Sequence, residues 1–392
     1  MEATPDIQLF LRPGIVELMW GHPDLALLPV DGLLQATQVA LARDGPLALS
    51  YGAEQGPMCL IEQVCARLGY LEGTAPPPEQ MMITGGTSQA LDMLCTVLTQ
   101  PSDMMLVESP VYHLALRIFR DHGLELLPVP SDDEGLRVDA LQEALAELER
   151  QGRRARFLYT VPTFNNPTGL TLALERRKAL VTLAQRTGIT VLEDDAYYEL
   201  WYDAPPPPPL YSLAPVEPVV RLGSFSKVLA PGLRLGWMLA APEIVQRCAG
   251  CGMLDSGGGV NHFTAHVVAA FVELGLLDEQ VEILRASYRH RRDVLLDALA
   301  NHLPEGCEWA SPGGGFFVWL RLPSGVDSAA LLPVAESAGV SYVPGARFYA
   351  GEGGKRYCRL AFALLSPDGL DEGVRRLDAA LRSYHRSAHS SR

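Results

Sequence analysis

The sequence predicts an α/β protein, with a largely parallel sheet covered by helices on both faces and a smaller α+β domain behind it. Three observations carry this. Short apolar runs alternate with helical patterns through the middle of the chain, and the style changes after a long helical stretch near 278–302. The 392 residues also exceed the roughly 250 to 300 that a single core sustains.

The elements follow in order. Residues 11–29 are irregular and punctuated by Pro and Gly, and helical patterns run over 33–43 and 61–68. An apolar run at 81–84 meets Gly85-Gly86 and then a helical pattern over 88–98. Strand 104–107 precedes helix 112–122, strand 125–129 precedes helix 138–151, and strands 156–160 and 189–193 flank helix 174–187. Strands 219–223 and 235–239 close the series. Pro205 to Pro209 reads as a stiff exposed loop. Beyond the long helix, 315–320, 341–343 and 357–362 read as strands of a second domain, whose boundary falls inside that helix.

Composition narrows the function. With 32 Lys+Arg against 46 Asp+Glu the net charge is −14, which repels a nucleic-acid backbone and excludes DNA and RNA as partners. At 48% hydrophobic and 20% charged residues the chain is too apolar for a disordered one. No apolar run reaches the ~18 to 20 residues of a membrane span, and residues 1–6 lack the pattern of an export signal. Seven irregularly spaced cysteines rule out a full disulfide framework and point to a reducing compartment, the cytoplasm. Cys248 and Cys251 form a CxxC on a predicted helix over 245–251, but no second pair stands at zinc spacing, so buried thiols are expected and no metal. His262 and His266 lie four apart without the acid of a metalloprotease motif, which reads as packing.

Ligands of open α/β sheets gather at the carboxyl ends of the strands, and the unusual residues of this chain fall there. After 81–84 comes Gly85-Gly86-Thr87-Ser88, a helix start able to hold a phosphate, or a plain helix cap. After 156–160 comes Asn165-Asn166-Pro167-Thr168-Gly169, a turn by its local chemistry. After 189–193 three consecutive acids, Glu193-Asp194-Asp195, require solvent or a cationic partner. After 219–223 comes Ser224-Phe225-Ser226-Lys227, with Arg234 seven residues on. Lys227 is either a surface lysine or a desolvated amine suited to Schiff-base chemistry.

Taken in this order, the segments resemble the fold-type I pyridoxal-phosphate enzymes, specifically class I/II aminotransferases of the subgroup containing 2-aminoadipate and kynurenine aminotransferases. The resemblance runs from Arg12-Pro13-Gly14-Ile15 to Arg359-Leu360-Ala361-Phe362. Its most specific motifs are Asn166-Pro167-Thr168-Gly169, Glu193-Asp194-Asp195-Ala196-Tyr197-Tyr198, and the segment from Ser224 through Lys227 and Arg234 to Trp237. It implies a sheet of the seven-stranded type in a large domain over 41–285, a small domain over 286–392, and an arm, 1–40, packed with the small domain. It also implies pyridoxal 5′-phosphate as cofactor, amino acid and 2-oxo acid substrates in a ping-pong cycle, and a homodimer with a shared active site.

The same resemblance assigns roles. Lys227 forms the internal aldimine and moves the proton between the substrate's α carbon and the cofactor. Asp194 keeps the pyridine nitrogen protonated. Tyr197 and Asn166 hydrogen-bond the ring's phenolic oxygen, and Tyr112 stacks on the ring. Thr87 and Ser88 at the helix start, with Ser224 and Arg234, hold the phosphate, and Tyr51 reaches the phosphate of the neighbouring subunit. Arg359 grips the substrate α-carboxylate with a two-pronged fork, beside Asn166 and Gly21.

The chain departs from the family pattern in places. Eleven residues precede Arg12, so the expected arm is short. Trp20 and His22 replace smaller or different arm residues, Leu60-Ile61 stands where Leu-Arg is frequent, and Ser88 replaces a frequent Gln. A lyase, cyclase or oxidase of amino acids would share the same cofactor contacts and is the alternative reaction class. A transcription regulator with this fold would carry a basic helical module ahead of Arg12. The apolar arm and Gly314-Gly315-Phe316-Phe317 lean towards a hydrophobic or aromatic amino donor.

Overall fold

The computed structural model describes residues 8–214 and 217–390, with side chains to residue 386; the acidic start of the chain lies outside this range. The chain opens with β1 (Val16–Glu17), α1 (Val30–Asp44) and α2 (Met58–Glu72). It then alternates β2 (Met81–Thr84), α3 (Thr87–Leu98), β3 (Met104–Ser109), α4 (His113–Asp121), β4 (Glu125–Asp132), β5 (Gly135–Leu136), α5 (Val138–Arg150), β6 (Ala155–Thr160), α6 (Leu174–Thr187) and β7 (Thr190–Asp194). Next come α7 (Leu210–Leu213), β8 (Val219–Ser224), β9 (Gly236–Leu239), α8 (Pro242–Ala249), α9 (Gly252–Asp255), α10 (His262–Glu273) and α11 (Leu276–His302). The C-terminal third adds β10 (Phe317–Arg321), α12 (Ser328–Ser337), β11 (Val340–Ser341), β12 (Val343–Pro344), β13 (Tyr357–Ala361) and α13 (Pro367–Ser390).

Eight strands form the main sheet in the order β2-β9-β8-β7-β6-β3-β4-β5. The five central strands, β8-β7-β6-β3-β4, pair in parallel, while β9 and β5 run antiparallel to their neighbours. The eighth strand is a correction to the expected seven. Ser131 and Asp132 of β4 pair with Leu136 and Gly135 across a tight turn whose Gly135 sits at φ +94°, too short a feature to leave an apolar run. Side chains alternate across the sheet with period two. Leu106, Leu158 and Val191 face the layer containing α6, α10 and α11, whereas Val107, Tyr159 and Leu192 face the layer of α3, α4 and α8. Both faces are therefore buried, as a parallel sheet requires.

Smaller sheets lie apart from this one. Strands β10, β13 and β12 form an antiparallel trio, and β1 pairs in parallel with β11. The pairing is reinforced by side chains: Arg12 forms ion pairs with Glu17 and Glu336, both at 2.7 Å, and Ser341 donates a hydroxyl to Glu17. The predicted strand 341–343 is thus two pieces, because Ser341 pairs with Glu17 while Val343 pairs with Arg359. The predicted helix over 245–251 stops at Ala249, and Cys251 starts the next helical turn. The proline run is exposed at Pro205 and Pro208 but buried at Pro209, where the chain enters α7.

The three consecutive acids resolve by strand geometry. Glu193 accepts the Leu210 and Tyr211 N–H groups at 2.7 and 3.0 Å. Asp195 meets the fully buried Arg221, which also pairs with Glu72 and lies over the Tyr198 and Trp237 rings. Arg221 is the cation that the acidic run required. Among the described residues no helix is long and apolar enough to cross a membrane, and no His, Cys, Asp and Glu groups are clustered to hold a metal ion.

Candidate active site

The carboxyl ends of β2, β6, β7 and β8 open onto one region, where loops leaving the sheet meet β13 and the segment after β1. Lys227 sits three residues beyond β8, its ammonium donating to the Gly21 carbonyl at 3.1 Å, with the Phe316 and Tyr197 rings 5.5 and 5.9 Å away. Burial lowers its pKa to about 8, helped by the positive charges of Arg359 and Arg234 and opposed by Asp194. The amine is thus partly free base near neutrality, so the surface-lysine reading does not apply.

Asp194, the last residue of β7, is buried and accepts the Tyr159 hydroxyl at 2.8 Å. Burial raises its pKa to about 6, while the hydrogen bonds from Tyr159 and the Ala196 backbone and the charge of Lys227 pull the other way. Tyr197, three residues past Asp194 in the next loop, packs edge-on to Phe316 and Phe317. Tyr112 lies within the field of Asp194, Arg359 and Arg234, and burial pushes its hydroxyl up to about 12, so it stays neutral.

Arg359 comes from β13. One guanidinium nitrogen donates to Asn166 Oδ1 at 2.9 Å and another to the Met19 carbonyl at 2.7 Å, and the group lies 4.2 Å over the Phe317 ring. Its Nε is buried without a partner, a donor available to an incoming anion. The backbone of 19–21 therefore caps both cations of the pocket.

At the start of α3 the cap residue is Gly86, at φ +95° and with no side-chain hydrogen bond, so the plain-cap account of Thr87 and Ser88 does not hold. A Cβ at Gly86 would stand 3.0 Å from Arg234 Nη2, which donates to the Gly85 carbonyl at 2.7 Å. Ser224 Oγ accepts the Ser226 N–H at 3.1 Å. Thr87 is half-buried and Ser88 and Arg234 are exposed at this rim. Free helix-start N–H groups, an exposed guanidinium and a glycine-cleared surface suit a phosphate, and a buried acid with a nearby lysine suits a pyridine ring carrying an aldehyde. The residues present fit pyridoxal 5′-phosphate.

Tyr51 stands apart, 87% exposed against Gly257. Sequence reasoning missed Tyr159, which beside Phe157 and Leu158 in the strand 156–160 reads as core. It also missed the orientation of His22, which Lys227 and Arg359 reach electrostatically. Burial and these two cations hold the His22 imidazole neutral, its pKa lowered to about 4.

A pH titration of the cofactor-free protein checks the electrostatics. Modification of Lys227 by an amine-selective reagent is expected to rise through a midpoint near pH 8, against 10.5 for an ordinary lysine. Arg359→Ala removes a positive neighbour and moves the midpoint up, whereas Asp194→Asn removes a negative one and moves it down. A midpoint above pH 10 in the native protein contradicts the assignment.

Comparison with known proteins completes the picture. The family model described as aminotransferase class I and II matches residues 15–377. The chain is 35% identical over 378 residues to the aromatic-amino-acid aminotransferase 1 of Thermococcus litoralis, covering 96% of this chain and 90% of that one. It is 36% identical over 382 residues to the 2-aminoadipate transaminase of Thermus thermophilus, covering 96% and 92%. The crystal structure of the Pyrococcus horikoshii kynurenine aminotransferase, in complex with PMP, superposes with a TM-score of 0.90 at 36% identity, over 95% of this chain and 91% of that one.

Proposed function

The chain belongs to the class I and II aminotransferases, and from that premise we propose how its own residues carry out the reaction and on what substrates. It is a pyridoxal 5′-phosphate-dependent enzyme that transfers an amino group from an amino acid to a 2-oxo acid. When bound, the cofactor supplies a carbonyl carbon that takes up the amino group and an electron-withdrawing ring that eases loss of the substrate's α proton.

The residues divide that work. Lys227, with its lowered pKa, would take the proton from the substrate's α carbon and deliver it to the cofactor's C4′ carbon. Asp194 supplies the negative charge opposite the ring nitrogen, Tyr112 covers one ring face, and Tyr197 and Asn166 orient the phenolic oxygen. The α3 start at 86–88, Ser224 and Arg234 hold the phosphate. Arg359 orients the α-carboxylate through its fork, with Asn166 and the Gly21 backbone alongside. The observation that carries this reading is the meeting of Lys227, Asp194 and Arg359 at the carboxyl edge of a parallel sheet.

Finer features belong to the same proposal. Tyr51 lies in an exposed apolar stretch with Leu47, Leu49 and Met58, which supports a homodimer in which Tyr51 reaches the partner's phosphate. The domains are 41–285 and 286–392, with the arm 1–40 tied to the small domain, a division supported by the β1–β11 pairing. Seven cysteines free of disulfides support a cytoplasmic location. Phe316, Phe317 and neutral His22 beside Lys227 and Arg359, with Trp20 edge-on to His22, favour an aromatic or other hydrophobic amino donor.

Single amino acids, added to the enzyme without an acceptor, test the proposal. Aromatic donors are expected to convert one equivalent of cofactor to the amino form and stop, faster than aspartate or lysine. Repeated turnover without acceptor would instead favour the lyase, cyclase or oxidase class, and a preference for aspartate would remove the aromatic assignment.

A further inference from the structure

Tyr159 sits at the centre of the sheet, on β6, with no solvent exposure. Its register partner on β7 is Leu192, and Asp194 lies two residues further along the same face. The hydroxyl donates to Asp194 Oδ2 at 2.8 Å, and the Phe119 ring stands edge-on behind it at 5.2 Å. Burial and the adjacent negative charge hold the phenol far above its ordinary pKa, so it stays protonated and donates its proton to the carboxylate.

We propose that Tyr159 is a positioning residue for the amino-transfer reaction, fixing the Asp194 carboxylate and keeping it ionised opposite the cofactor ring. The inference rests on the reading of Asp194 as partner of the ring nitrogen. A carboxylate this deeply buried loses its charge unless hydrogen bonds favour the ionised form. Among the described residues, the hydrogen bonds that favour the ionised Asp194 come from the Tyr159 hydroxyl and the Ala196 backbone, and Tyr159 is the side-chain donor of the pair. The phenol occupies one carboxylate oxygen, Oδ2, and restrains the rotation of the group. A phenylalanine would fill the same space and leave that carboxylate free to rotate and to take up a proton.

The experiment measures cofactor affinity and its dependence on pH in the holoenzyme, alongside transamination kinetics. The direction follows from linkage: losing the Tyr159 donor raises the pKa of Asp194, so on acidification the carboxylate is neutralised, and the cofactor released, at a higher pH. Tyr159→Phe is expected to weaken pyridoxal 5′-phosphate binding about tenfold and to move the acid limb of release up by about one pH unit. It should lower kcat with little change in KM. In an Asp194→Asn background the same substitution should change affinity by less than about twofold, because its effect passes through the carboxylate.

A native-like affinity and acid limb in Tyr159→Phe, or additive losses in the double variant, overturns the inference. Should the phenylalanine variant fail to fold, Tyr159→His keeps a ring donor and should hold the limb within about half a unit; a full-unit shift there overturns the inference as well. The reading of Asp194 fails separately, when Asp194→Asn alone leaves both affinity and limb unchanged.

Discussion

Lys227→Ala is expected to give a folded protein that still binds pyridoxal 5′-phosphate but forms no borohydride-reducible bond to it, with transfer slowed by about 10⁴-fold. The magnitude reflects the loss of a positioned base, since no other described side chain near the α carbon offers an uncharged amine. Among the described residues, the lysine's hydrogen bond is to the Gly21 carbonyl, so its loss breaks no ion pair there. Stability should not suffer. The native pKa of about 8 lies below the ordinary 10.5, so between these values the unfolded chain binds more protons than the native one. Stability of the cofactor-free native protein therefore rises with pH across that window, and at pH 7 the buried amine is a net cost. The alanine variant should lose this slope and be at least as stable at neutral pH. Mass spectrometry after reduction and single-turnover absorbance read the chemistry, and a reducible linkage surviving in the variant refutes the role of Lys227.

Arg359→Lys should lower kcat/KM by about 10² to 10³ while leaving the cofactor bound. The arginine presents a planar fork: one prong is fixed by Asn166, one by the Met19 carbonyl, and the Nε has no partner. An ammonium has no second prong, and it would be buried beside the Phe317 ring without the fork's hydrogen bonds. Because a positive charge remains, the Lys227 midpoint should stay near its native value, which separates loss of geometry from loss of charge. Both half-reactions bind an α-carboxylate, so the penalty should fall on the amino acid and the 2-oxo acid alike. Steady-state kinetics with each substrate varied in turn checks this, and an unchanged kcat/KM for either removes Arg359 from carboxylate binding.

Much of the molecule was legible from residue pattern. The runs at 81–84 and 104–107 are apolar on both faces and bounded by glycine or acids, so tertiary context had little room to override them. Lys227, Asp194 and Arg359 are singled out by the motifs that carry the family resemblance, and the structure brings the three within electrostatic reach of one another. What stayed hidden depends on distant parts of the chain. The Arg221 partnership with Asp195 and Glu72 joins residues up to 149 positions apart, and a charged residue in a strand gives no hint of its partner. The Tyr159 hydroxyl was hidden for a similar reason: an aromatic residue in a strand run reads as core, and only strand register reveals the acid beside it. Two-residue strands such as β5 carry too few side chains for any periodicity.

The backbone of the arm, where Met19 and Gly21 offer their carbonyls to Arg359 and Lys227, bears on how tightly any substrate can bind. A carboxylate reaching Arg359 does not meet a bare cation. It replaces a tethered neutral acceptor already in place at high effective concentration. The net affinity is the difference between a charged and an uncharged acceptor, and part of the intrinsic attraction is spent on the exchange. Neutral, carboxylate-free molecules gain nothing from that exchange, so selection for an acid takes place before the side chain is read.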